Sequence, residues 1–261
     1  MGNRNVRIER ERIQHGTPGW KRALDITLIV FCAPGLLFVS AVVALVIKAG
    51  SRGPILFRQR RVGYQGREFT CFKFRTMHSN AETESHREHT RQLIRSSAPM
   101  QKLDGRQDPR LIPLARVLRA GGLDELPQLI NVLRGEMSLV GPRPCLPYEY
   151  ELYEPWQRRR FAAAPGLTGL WQVSGKNQTT FDEMIRLDIA YSEHMSLWGD
   201  LKILAKTPVT LWQQYRDLRS TRRTAKSTAE GSTEPTANSY EPLKSLPRRP
   251  ARSPRSLVVS D

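Results

Sequence analysis

Three cysteines in 261 residues, Cys32, Cys71 and Cys145, are too few and too unevenly spaced for a disulfide framework, and no clustered histidines accompany them as in a zinc site. A reducing, cytosol-facing domain is the simpler inference. Acidic residues are also scarce: 25 Asp and Glu stand against 41 Lys and Arg, a formal net charge of +16. Such a surplus suits an anionic partner, and sign alone does not separate nucleic acid, anionic lipid and phosphorylated substrates. A membrane-tethered nucleic-acid binder would show basic residues interleaved with exposed aromatics, or a groove-reading helix. Neither is present. There is no internal repeat and only one long apolar run.

That run, Ile26 to Ile47, holds no ionisable side chain except Cys32 and is long enough for one bilayer crossing at about 1.5 Å per residue. It is long for a cleaved signal peptide and lacks a convincing small-residue cleavage site. Pro34-Gly35 falls inside it, where proline removes a backbone donor and crowds the preceding turn. Positive charge flanks both ends, Lys21 and Arg22 before and Lys48 and Arg52 after, whereas a spanning helix carries its excess on the cytoplasmic side. The residues alone admit both a span and a helix broken near Pro34 that dips into one leaflet. Composition divides the chain into a basic segment 1–20, a membrane helix 21–50, a globular domain 51–215 and a Ser-, Thr-, Pro- and Arg-rich tail 216–261. The tail lacks the apolar periodicity to offset ordering entropy and is expected to be disordered.

Within the domain, Pro54 to Val62 and Glu68 to Arg75 read as two strands joined by a turn at Gly63 to Gly66. Alternation puts Phe72 and Phe74 on one face and Cys71, Lys73 and Arg75 on the other, a basic stripe that is either a solvated face or a set of cations for phosphate. His78 to Arg95 is a polar helix candidate whose His78, His86 and His89 read as exposed. Arg110 to Arg119 is amphipathic and leads through Gly121-Gly122, a pair suited to a tight turn, into Asp124-Glu125. Pro127, then Leu126, Leu129, Ile130 and Leu133 at helical spacing, predict a short helix headed by these two carboxylates. They are either ordinary capping residues or a catalytic pair, since that helix end also favours phosphate. Gly141-Pro142-Arg143-Pro144 is a rigid turn holding one cation. Pro165 to Lys176 reads as a loop and short strand with groups that could meet a base or sugar, and Asp188, Tyr191 and Asp200 as residues that cap or pair within the fold.

In order, these segments resemble the bacterial sugar transferase family, the monotopic polyprenyl-phosphate phosphoglycosyl transferases, over roughly residues 20–212. The resemblance rests on Lys21-Arg22 with Asp25 ahead of the proline-containing apolar helix, Phe57-x-Gln59-x-Arg61-x-Gly63, Lys73-Phe74-Arg75-Thr76-Met77, Asp108-Pro109-Arg110, Leu123-Asp124-Glu125-Leu126-Pro127-Gln128, and Met137 to Pro144. With no further apolar span, it suggests the family's minimal form. The fold it implies is α+β: a re-entrant, Pro34-broken membrane helix followed by a compact, mainly helical cytosolic domain with a small β-hairpin. Many relatives carry serine before that proline, where this chain has Ala33, and Thr-Ser where it has Gly121-Gly122.

The activity implied is transfer of a phosphosugar from a UDP-sugar to polyprenyl (undecaprenyl) phosphate, releasing UMP, as the priming step of exopolysaccharide synthesis. Asp124 would be the nucleophile that carries the phosphosugar. Glu125, with Asp124, would hold Mg²⁺; Arg119 and Arg143 would bind phosphate, and Lys73, Arg75 and Lys176 would add to the same basic pocket. The implied location is the bacterial inner membrane, with the site at the cytoplasmic face. A metal-dependent phosphohydrolase using the same carboxylates and water is the alternative chemistry. The sugar and the oligomeric state are not legible.

Overall fold

Pro18 marks the start of the long helix, because a missing N–H costs nothing where helical donors have no partner anyway. A computed structural model describes residues 17–77, 111–112, 114–175 and 179–230, with Glu88, Arg91, Gln92 and Ile94 in between, and side chains as far as Arg216. Helix α1 is Gly19–Gly50 and is long and apolar enough to cross a membrane. Its helical backbone continues through Pro34, which removes one backbone hydrogen bond there. Proline's fixed φ is itself close to helical, so the backbone can stay helical across the missing bond.

The N-terminal end is held by charge. Lys21 is buried and donates to Asp200 and, at 2.9 Å, to the Tyr191 hydroxyl, which donates in turn to Asp200 at 2.8 Å. Asp25, also buried, accepts from the Leu139 N–H at 3.0 Å, and the Arg22 guanidinium donates to the Val132 and Leu133 carbonyls. The C-terminal end is held by packing, with Val43 and Ile47 buried against Phe74, Ile112, Ala115 and Leu118. Between the two ends Phe31, Leu37 and Phe38 stand 82%, 70% and 72% exposed, an apolar face with no protein over it.

Strands β1, Leu56–Val62, and β2, Glu68–Phe74, form the expected antiparallel hairpin in register from Leu56↔Phe74 to Val62↔Glu68. The expected helix over 110–119 is shorter: Leu111 bridges Met77, Leu114 adopts a left-handed φ of 62°, and α2 covers only Ala115–Ala120. A 3-10 helix, Leu123–Gln128, and α3, Leu129–Leu133, follow. Asn131 on α3 is fully buried and replaces a neighbouring strand along β2, accepting from Phe72 N–H at 3.1 Å and donating to the Thr70 carbonyl at 2.7 Å. That amide clamps the 3-10 helix and α3 onto the hairpin.

A second, two-stranded sheet pairs β3, Ser138–Val140, in parallel with β4, Gly166–Thr168. Beyond it Gly141 passes so close to the other segment that a Cβ there would lie 2.3 Å from the Ala164 carbonyl oxygen; only glycine permits the approach. Helices α4, Pro147–Leu152, α5, Leu170–Val173, and α6, Phe181–Glu193, enclose a core of Val62, Tyr153, Phe161, Trp171, Phe181 and Ile185. Helix α7, Leu197–Glu230, continues past the boundary expected at 215. One compact unit extends to Thr221, and a second begins at Arg222 within α7.

Candidate active site

The two strands of the hairpin place Gln59, Arg61, Cys71 and Lys73 on one face, since directly paired residues share a side. Arg61 is buried, and two partners brace it: Gln59 Oε1 accepts from its Nε and Nη2 at 3.1 and 2.8 Å, and the Pro144 carbonyl accepts from Nη1 at 3.0 Å. Burial, and next the neighbouring Arg143, pull its pKa down, so two guanidiniums are held where their charges repel. Arg143 is positioned from behind by Arg160, which donates to the Arg143 carbonyl at 2.8 Å while buried in an ion pair with Asp188. The hairpin is tied to this segment by Val62 N–H donating to the Cys145 carbonyl at 2.9 Å.

Opposite these cations stands the acidic pair. Gly122, at a φ of +66° that suits glycine, turns the chain from the end of α2 into the 3-10 helix, with Leu211 of α7 packed beside it. Successive residues on a 3-10 helix point about 120° apart, so the two carboxylates differ in setting. Glu125 forms part of the cleft wall and accepts from Lys73 Nζ at 2.9 Å. Asp124 is 8% exposed; burial first and the charge of Glu125 second raise its pKa, while Lys73 and Arg119 draw it down. The cleft between the two sides is lined by Arg61, Lys73, Glu125, Gln128, Arg143 and Gln172, among others.

Of the expected site residues, the fold thus gathers Lys73, Glu125 and Arg143 in one cleft, with Asp124 and Arg119 electrostatically coupled at its acidic side. Arg75 goes elsewhere: its guanidinium donates to the Ser51 hydroxyl and to the Ser51 and Arg52 carbonyls, securing the chain where it leaves α1. Lys176, Asp108-Pro109-Arg110, His78, His86 and His89 lie outside the described residues. Asp188, Tyr191 and Asp200 pair within the fold as expected. Arg61, Gln128 and Gln172 were not singled out as site residues, although the alternation Phe57-x-Gln59-x-Arg61 was the available signal for the first. Among the described residues no three His, Cys, Asp or Glu side chains converge as a metal cage.

The bacterial sugar transferase family model matches residues 17–214. The chain is 42% identical over 194 residues to the galactosyl transferase CpsE of Streptococcus agalactiae, covering 72% of this chain and 41% of that protein. It is 37% identical over 193 residues to the exopolysaccharide production protein ExoY of Sinorhizobium fredii, covering 72% of this chain and 83% of that one. The UDP-glucose:undecaprenyl-phosphate glucose-1-phosphate transferase of Caulobacter vibrioides is 42% identical over 203 residues, with 73% and 69% covered. The chain therefore spans about two fifths of CpsE but most of the other two proteins. The matched stretch contains α1, the hairpin and the whole cleft, and the chain belongs to the bacterial sugar transferase family.

Proposed function

We propose that this protein transfers a phosphosugar from a UDP-sugar to undecaprenyl phosphate in the bacterial inner membrane, as the first step of exopolysaccharide assembly. The observation that carries the reading is the cleft itself: Glu125, with buried Asp124 beside it in sequence and coupled to it, shares a cleft with Arg61, Lys73 and Arg143 on the unit that holds both ends of an apolar helix. A helix docked at both ends on one domain does not cross a bilayer with that domain on one side. This supports a re-entrant, monotopic arrangement with the cleft on the cytoplasmic side, and exposed Trp198, Val209 and Trp212 of α7 suit the same interface.

Asp124 attacks the β-phosphorus of the UDP-sugar, the bond to the UMP oxygen breaks, and the phosphosugar remains on the carboxylate. A phosphate oxygen of undecaprenyl phosphate then attacks the same phosphorus and expels Asp124, giving the lipid diphosphate sugar. Arg61 and Arg143 hold the diphosphate oxygens bidentately, and Lys73 orients Glu125. Among the described residues no third ligand joins these two carboxylates, which suits Mg²⁺, an ion that takes one or two carboxylates and completes its shell with substrate phosphate and water. When bound it neutralises the phosphate charge. Asp124 and Glu125 would hold it.

The test is UMP release from UDP-sugars together with intact-mass detection of a phosphosugar adduct. Asp124→Asn is expected to abolish the adduct and cut turnover by at least ~10³-fold. Full activity in that variant sinks the assignment, and an adduct mapped to Glu125 moves the nucleophile to the carboxylate that lines the cleft. Free sugar phosphate produced at high turnover without lipid would favour the hydrolase alternative.

A further inference from the structure

A second concavity, about 940 Å³, runs between α1 and the start of β1 and is lined by Leu37, Ala41, Ala44, Leu56, Phe57 and Arg58. Its size lies within the range of about 300–1,000 Å³ typical of ligand pockets. Its depth has a sequence cause: small residues at 41 and 44 take one helix face below the level of the large residues around it. Its α1 lining, Leu37 to Ala44, belongs to the apolar stretch of that helix. Its lining includes Phe57, whose cross-strand partner is Lys73, the residue paired with Glu125 in the cleft. Directly opposed residues on one face stand about 5 Å apart, so the apolar groove and the cationic cleft meet at the Phe57–Lys73 pair.

We infer that this groove seats the first isoprene units of the polyprenyl phosphate acceptor and thereby delivers its phosphate to the cleft. The inference rests on the transferase reading above and names where that substrate lies. The occupant must be apolar along its length and anionic at one end, because the lining is mostly aliphatic and aromatic while Arg58 within it and Lys73, opposite Phe57, are cationic. A polyprenyl phosphate has that polarity and is the acceptor that the reaction requires.

The two half-reactions separate the groove from the site. Ala41→Trp and Ala44→Trp fill the groove, while Leu45→Trp adds the same bulk at a position 70% exposed that does not line it. Displacing an isoprene unit forfeits several buried methylene equivalents, so kcat/KM for polyprenyl phosphate is expected to fall on the order of tenfold or more in the first two variants. Adduct formation from UDP-sugar alone should be unchanged in all three, and Leu45→Trp should match the wild type throughout. In parallel, a polyprenyl phosphate carrying a diazirine in its first isoprene unit should label peptides containing residues 37–44 or 54–58 of the wild-type protein in nanodiscs. Unchanged lipid kinetics in the filled variants, an equal loss in Leu45→Trp, or labelling confined to other peptides overturns the groove. A wild-type protein that forms no adduct overturns the transferase reading itself.

Discussion

Gln59 and the Pro144 carbonyl grip Arg61 from two sides, so its guanidinium meets a phosphate already oriented and gives up little freedom on binding. Arg61→Lys keeps the charge but loses the fork and both braces, and kcat/KM for the UDP-sugar should drop by roughly 10²-fold. Gln59→Ala should cost less, about tenfold, because the Pro144 contact survives. Steady-state kinetics with purified variants would check both, and equal losses would mean that Gln59 contributes more than bracing. The cysteines give a separate test. Burial pushes the Cys145 thiol up to about 12 and raises Cys71 too, although Lys73 and Arg61 oppose the shift at Cys71, whereas Cys32 is exposed on α1. A raised thiol pKa means less thiolate at a given pH. In detergent at pH 8, maleimide should therefore modify Cys32 alone, and all three sites should react after denaturation. Rapid native labelling of Cys71 would show the cleft to be more open than described.

Helix α1 is fastened at one end by ion pairs and at the other by apolar packing, and the two fastenings fail differently. Asp200→Ala leaves the Lys21 ammonium buried without its carboxylate and should destabilise the protein by about 3–5 kcal/mol, measurable by denaturant unfolding in micelles. Replacing both partners, Lys21→Met with Asp200→Leu, should recover most of that loss; no recovery would show that Tyr191 and the geometry matter more than the charge. These elements also separate what the sequence announces from what it conceals. The hairpin was legible because alternation and a glycine-bounded turn are local signals. Strands β3 and β4 were not foreseen as a pair, since three residues are too short for any period to show and their partnership spans distant segments. Leu111 and Leu114 mimicked a helical face but serve a bridge and a left-handed turn. In the site, the carboxylates read from the residues alone as caps or as a catalytic pair, and the family resemblance is what favours the second. Arg61 was lost among Arg58 and Arg60, because nothing local marks which arginine of such a run is buried.

For the whole molecule, the decisive relation is between α1 and the unit on which it rests. Tags placed at residue 1 and immediately after Gly50 should both be labelled only once the inner membrane is permeabilised; labelling of either in intact spheroplasts would refute the re-entrant topology. Pro34 bears on this less than expected, since the helix continues through it and the docked ends do the restraining. Replacing Pro34 by Ala should consequently leave the topology unchanged, by the same accessibility assay.

Fastening both ends of α1 to one body also sets the height of the cleft above the lipid. A protein held by a crossing helix must tilt or stretch when the bilayer thickens, because its apolar length is matched to two leaflets. In the re-entrant arrangement proposed above the reference is a single interface, and the distance from Glu125 to the head-group plane is written into the protein alone. Turnover in vesicles of short-chain and long-chain lipids should then be nearly the same, a tolerance to hydrophobic mismatch that follows from the buried contacts of Lys21, Asp25, Val43 and Ile47.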